Sequence, residues 1–347
     1  MARSAAPLVP LALLALVAAA WALTVGAMAI PFEHVADALL RPLGLGALAP
    51  ADPQERAAIL QIRLPRVLLA LLAGAALAQA GAAMQAIFRN PLAEPAVIGV
   101  AGGAAVAAVA LIVLGEAAGV FDHVPARWLV PGATFAGGLL ATALVARLAQ
   151  VDGYTRPATL LLAGLALNAI AGAAIDFLSH VAGDAALRNL TFWMFGSLGR
   201  AGWAEIAVGA PLLAIALLLI PRDARALDAL QLGEAEAGHL GVDVERLKRR
   251  LTLLTVLAAG TAVALAGIIA FVGLVVPHLV RLWVGPGHRA LLPAAALLGA
   301  ALLVLADTAA RTLLAPAELP IGVLTALVGG PFFLALLVRY RRETDFG

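Results

Sequence analysis

Lys248 is the only lysine of the chain, and it stands between Leu247 and Arg249. A loop that cradles nucleotide phosphates needs glycines followed by lysine and then serine or threonine. This chain therefore has no such loop and cannot be its own ATPase. Cysteine is absent, which excludes structural disulfides and thiolate metal sites. Proton- or sodium-coupled transporters carry buried acids at helix centres, whereas the acids here, Asp176 and Asp307, stand near the ends of apolar runs. No histidine, Ser–Lys or double-Asp constellation stands inside those runs, so an intramembrane enzyme has no catalytic pair to use. His34, His123, His180, His239, His278 and His288 are dispersed along the chain. None is expected to ligate a metal. Two groups remain with chemistry to offer. Arg63, Arg66 and Arg311 fall at the ends of apolar runs, and the stretch 222–250 gathers Arg222, Arg225, Arg246, Lys248, Arg249 and Arg250 among six acids, Asp223, Asp228, Glu234, Glu236, Asp243 and Glu245.

The elements that must position these groups are set by composition. Of 347 residues, 63% are hydrophobic and 13% charged, whereas a soluble domain carries about 25% charge. The mean hydropathy of +1.00 leaves too little polar surface to face water, so the chain is a multi-pass membrane protein. Its apolar runs are about 20 residues long, the length a helix needs to cross hydrocarbon, and they lack the two-residue alternation of a barrel. A net charge of +2 implies no attraction to nucleic acid.

About ten spans follow from the pattern, at 8–30, 64–87, 96–115, 128–148, 157–178, 203–221, 251–267, 268–284, 290–311 and 321–340. The first is too long for the apolar core of a secretory signal and reads as a span. Gly267, Gly273 and Pro277 favour a break between the seventh and eighth. Ten spans place both termini and the stretch 222–250 on one side, together with most of the 23 basic residues. Basic residues favour the cytoplasm, so both termini are expected inside. Small residues four apart (Gly74, Ala78 and Ala82; Gly99 and Gly103; Gly322, Ala326 and Gly330) suit close helix packing in lipid.

Within 222–250, Leu227 and Leu230 share a helical face, Gly233, Gly238 and Gly241 punctuate the run, and Asp243 is placed to cap a following helix. Two short amphipathic helices on the cytoplasmic face are expected, as a docking element for a cytosolic partner. Asn168 is the one polar side chain midway along the fifth span, placed either to line a path or to make a helix–helix hydrogen bond.

Four blocks of sequence resemble the permease subunits of type II ABC importers, which serve iron–siderophores, haem and cobalamin. They are RLPRVLLALLAGAALAQAGAAMQAIFRNPLAEPAVIGVAGGAAV (63–106), LQLGEAEAGHLGV (230–242), GIIAFVGLVVPHLVRL (267–282) and LLVLADTAARTLLAPAELPIGVLTALVGGPFFLALLVR (302–339). The resemblance implies an all-α, ten-helix subunit forming one transmembrane domain over 1–347, paired as a homodimer in the bacterial inner membrane. It further implies two ATP-binding cassette subunits docked on 222–250 and a periplasmic substrate-binding protein above. ATP and magnesium would belong to the ATPase partners, and this chain would carry no cofactor. Leu230, Gly233, Glu234, Glu236, Gly238, His239 and Gly241 match the coupling segment, and Arg63, Arg66 and Arg311 match arginines that pair with acids of the binding protein. Asn168 lies on the helix that lines the path in this family. The segment RNLTFWMFGSLGRAGW (188–203) looks most like haem permeases, which makes haem the expected cargo. An iron–siderophore or cobalamin is the alternative, and an ion-coupled transporter a distant one.

Overall fold

The computed structural model describes residues 7–44, 50–123, 125–151, 154–315 and 317–344. Its helices are α1 (Leu8–Thr24), α2 (Phe32–Leu40), α3 (Pro53–Ala57), α4 (Leu64–Ile87), α5 (Val100–Ala117), α6 (Ala126–Leu148), α7 (Pro157–Val181), α8 (Asp184–Met194), α9 (Trp203–Leu219), α10 (Ala224–Leu232), α11 (Glu234–His239), α12 (Val244–Ala266), α13 (Val272–Val284), α14 (His288–Thr312) and α15 (Ile321–Thr344). The fold is all-α, apart from a two-residue antiparallel ladder, β1 (Gln150–Val151) with β2 (Tyr154–Thr155). Among the described residues seven helical segments are long and apolar enough to cross a membrane, and α1, α13 and the apolar part of α15 are shorter apolar helices. Together they are the ten expected spans.

Helix α4 is the central column, packed against α14, α12, α13 and α9. Its run of alanine and glycine lets backbones touch. A Cβ added at Gly74 would stand 2.3 Å from the carbonyl oxygen of Gly299, and one at Gly81 would stand 1.8 Å from that of Gly273. Only glycine fits such crossings, and in lipid it is van der Waals packing that holds helices together. A similar approach joins Gly103 on α5 to Gly137 on α6, whereas nothing lies within 4 Å of a Cβ at Gly330. Small-residue spacing therefore found the α4 and α5 crossings but not a use for Gly330. Helices α6, α7 and α9 expose most of their apolar surface, including Leu140, Leu162, Leu165, Phe177 and Leu218.

Boundaries differ from expectation in three places. Helix α1 ends at Thr24 rather than Ile30, and the short α2 follows it. Helix α12 starts at Val244 rather than 251, because Asp243 accepts a hydrogen bond from the Arg246 amide at 3.0 Å and nucleates the helix there. The segment before α9 contains a helix of its own, α8, whose Trp193 is buried. The break between α12 and α13 falls where expected, at 267–271, with positive φ at Gly267 and Phe271.

Candidate functional site

Two polar constellations stand at opposite ends of the bundle. At one end α10 and α11 lie side by side, separated by Gly233, whose φ of 133° no side-chain-bearing residue adopts readily. Helix α11 ends in a left-handed Gly241 (φ 84°), with the Val242 amide donating back to the carbonyl of Ala237 at 3.0 Å. That turn is how a helix closes on glycine.

Helices of 9 and 6 residues are too short to persist alone in water, and the structure shows what holds them. Asp228 accepts two hydrogen bonds from His288 at the start of α14, from the backbone amide at 2.8 Å and from Nδ1 at 2.7 Å. Asp223 is bonded by the Arg250 guanidinium, Nε to Oδ2 at 2.8 Å. Gln231 donates to the Ala86 carbonyl at the end of α4. Lys248 is buried, donating to Glu234 at 2.7 Å, to the Thr155 carbonyl at 3.0 Å and to Glu245 at 3.4 Å. Much of the charge in 222–250 is thus strapping within the chain rather than surface for a partner. The Lys248 ammonium is held by three oxygens of this chain.

The residues matched to coupling divide between core and surface. Leu230 is fully buried beneath α10 and has no outward face. Gly233 is the hinge, Gly241 the terminator, and Glu234 is spent on Lys248. Glu236, Gly238 and His239 are exposed, as are Leu232 at the end of α10 and Leu240 just past α11, at 66% and 64%. Sequence reasoning missed those two leucines, because only the orientation of each helix separates them from Leu227 and Leu230.

At the opposite end Arg63, Arg66 and Arg311 come together, yet each points inward, with relative exposures of 6%, 7% and 8%. Arg66 forks between two acids, binding Asp307 through Nε and Nη2 at 2.9 to 3.1 Å and Glu318 through Nη1 and Nη2 at 3.0 Å. Arg311 lies 3.4 Å from the same Asp307 carboxylate. Its Nη2 donates to the carbonyl of Ala22 at 3.0 Å and its Nη1 to that of Val25 at 3.2 Å. Arg63 donates to the carbonyls of Leu23, at 2.6 Å, and Met28. These carbonyls belong to the end of α1 and the chain just beyond it, where helix geometry leaves acceptors unpaired and the macrodipole favours cations. The cluster of three cations and two carboxylates keeps a net positive charge, and Glu318, with its side chain 47% exposed, is its open side. Sequence reasoning did not select Glu318.

Asp307 is fully engaged, which leaves it no lone role as a proton relay. Asn168 on α7 donates to the Ala96 carbonyl at 3.1 Å, tying α7 to the turn that follows the NPLAEP segment, while its Oδ1 is buried without a partner. The NPLAEP loop also carries Glu94. Burial raises its pKa, and a hydrogen bond from the backbone of Phe271, at the head of α13, acts the other way. His278 packs edge-on against Phe332, with ring centroids 5.7 Å apart. Among the described residues no group of three metal-ligating side chains gathers.

Among the described residues ten apolar helices form a bundle around a glycine-lined column, with a strapped helix pair at one end, and the relatives of this fold are permeases of the ABC importer class. The chain matches the FecCD transport family over residues 13–339 and belongs to it. It is 47% identical over 288 residues to the hemin transport system permease protein HmuU of Yersinia pestis, covering 82% of this chain and 84% of that one. It is 41% identical over 309 residues to the cobalamin import system permease protein BtuC of Halobacterium salinarum, covering 89% of this chain and 79% of the other. A solved metal-chelate type ABC transporter in an inward-facing conformation superposes with a TM-score of 0.82 at 31% identity, covering 96% of this chain and 98% of that one.

Proposed function

We propose that this chain is the membrane subunit of an ATP-driven importer that carries haem inward as a homodimer, powered by a separate ATPase. The single observation that carries the coupling role is the exposure of Leu232 and Leu240, with Glu236 and His239, on a helix pair strapped to α4, α12 and α14. Rigid straps transmit a push, and exposed leucines give a partner something to bury. The missing phosphate loop requires that the partner supply the hydrolysis. On the excess of basic residues, this helix pair and both termini lie on the cytoplasmic side of a bacterial inner membrane.

The arginine end then faces the periplasm and receives a substrate-binding protein. The arginines are turned inward, so an incoming carboxylate approaches from the Glu318 side and competes with Glu318 for Arg66. Haem is favoured by the 47% identity to a hemin permease. A planar, largely apolar cargo also suits the exposed apolar face of α7.

The test is reconstitution in nanodiscs with the cognate ATPase and binding protein. Haem-loaded binding protein should stimulate ATP hydrolysis more than apo, cobalamin-loaded or siderophore-loaded forms. Stimulation by a siderophore or cobalamin complex alone would replace the cargo, and uptake by the isolated chain on a proton gradient would replace the mechanism.

A further inference from the structure

A cavity of about 640 Å³ opens between the ends of α5, α6, α8, α9 and α12, at the end of the bundle away from α10 and α11. Its lining includes the apolar Val130, Trp193 and Leu265 and the charged Glu116, Arg127, Arg200 and Glu205, the last of which also accepts the Gly202 amide at 3.1 Å at the start of α9. Among the described residues neither Arg127 nor Arg200 forms a hydrogen bond or ion pair. Arg127 instead stacks over the Trp128 ring, 5.5 Å from its centroid. Arg200 is exposed at the cavity, and partial loss of water lowers its pKa from the ordinary value. Trp128, near the start of α6, and Trp203, at the start of α9, are each 42% exposed, and exposed tryptophans sit at the headgroup level of a bilayer.

We propose that this cavity is a binding site for a zwitterionic phospholipid, with an acyl chain against Trp193 and Leu265, the phosphate at Arg127 and Arg200, and the headgroup amine at Glu116 and Glu205. The volume lies within the about 300–1,000 Å³ typical of small-molecule sites. The balance of the charged lining, two cations and two carboxylates, matches a headgroup that carries one of each. A guanidinium binds a phosphate through charge-assisted paired hydrogen bonds. The site lies within one subunit, so a bound lipid would fill the space between α6 and α8 and stiffen α8. It is independent of the cargo assignment.

Native mass spectrometry of the intact, detergent-purified permease tests it, titrating phosphatidylethanolamine, phosphatidylglycerol, inorganic phosphate and haem separately. One phosphatidylethanolamine per subunit is expected to survive delipidation. Loss of both arginines (Arg127→Ala with Arg200→Ala) should weaken its retention about 100-fold, at roughly tenfold for each charge-assisted contact removed. Arg188→Ala, which alters a residue outside the cavity, should leave retention unchanged. Ala264→Leu should lower retention by filling the cavity while keeping both arginines, which separates loss of the site from a folding fault read by melting temperature. Glu116→Gln with Glu205→Gln should abolish the preference for phosphatidylethanolamine over phosphatidylglycerol. Equal retention in the double-arginine variant and the parent would overturn the proposal. So would displacement of the lipid by inorganic phosphate alone, or by haem in a manner that depends on Arg127 and Arg200.

Discussion

Leu232 and Leu240 give the sharpest test of coupling, because the cost of losing them is readable from their exposure. Leu→Ala removes three carbons, which on burial contribute about 0.8 kcal/mol each, or about 2.4 kcal/mol per side chain. The two side chains are 66% and 64% exposed in the free subunit, so about two thirds of that, about 1.6 kcal/mol, remains to be gained by each on docking. The double change Leu232→Ala with Leu240→Ala should therefore weaken ATPase binding by about 3 kcal/mol, or about 100-fold at 1.4 kcal/mol per decade. The assay is titration of the ATPase subunit onto nanodisc-embedded permease, read by surface plasmon resonance and by stimulated hydrolysis. Leu230→Ala is the comparison. Leu230 is fully buried, so that change should lower the melting temperature and affect docking far less in whatever folds. An affinity changed less than threefold in a properly folded double variant would refute the reasoning, since it would mean this face touches nothing.

Three further outcomes follow from packing and charge. Gly81→Ala places a methyl 1.8 Å from the Gly273 carbonyl oxygen and must push α4 and α13 apart, whereas Gly330→Ala meets nothing within 4 Å; thermal melting should fall sharply for the first, by the equivalent of about 1–3 kcal/mol or more, and barely move for the second. Asp307→Asn leaves Arg66 and Arg311 short of their buried carboxylate and should cost about 3–5 kcal/mol, while Glu318→Gln, at the open side of the cluster, should cost at most about 1 kcal/mol; equal losses in melting would contradict the burial assigned here. For Glu94, whose pKa burial raises, the folded state keeps a proton that the unfolded chain has already released over the window between the ordinary and the raised value. Stability should fall as pH rises through that window, and Glu94→Gln should flatten the slope; parallel melting curves for the two proteins from pH 4 to 8 would count against it.

Much was legible along the chain because each signal is local. Apolar runs of bilayer length define spans wherever they occur, and Asp243 before VERLKRR is a cap in any context. Gly233 and Gly241 likewise cut α10 from α11 and close α11 through their own backbone conformations. The small-residue stripe of α4 marked a close crossing, although not its partners, Gly299 and Gly273. What failed was the direction of charged side chains. Arg63, Arg66 and Arg311 read as partners for acids of a binding protein, through their match to the family's motifs, and the structure turns their side chains inward. Nothing in RLPR tells that the end of α1, some 40 residues earlier, will arrive beside it with unpaired carbonyls. The charges of 222–250 read as partner surface, and half of them proved to be straps.

Composition and periodicity therefore determined that the protein is a bundle of about ten membrane helices, with a polar pair of short helices at one end. These features depend on transfer from water to lipid and on backbone geometry, which act residue by residue. Tertiary structure alone decided which leucine of the helix pair faces out, which acid neutralises Arg66, and that Arg127 and Arg200, without an ion pair among the described residues, line one cavity with Val130, Trp193 and Leu265. Those outcomes depend on which distant segment arrives within a few ångströms. Coulomb and hydrogen-bond energies change over that distance, and no spacing along the chain encodes it.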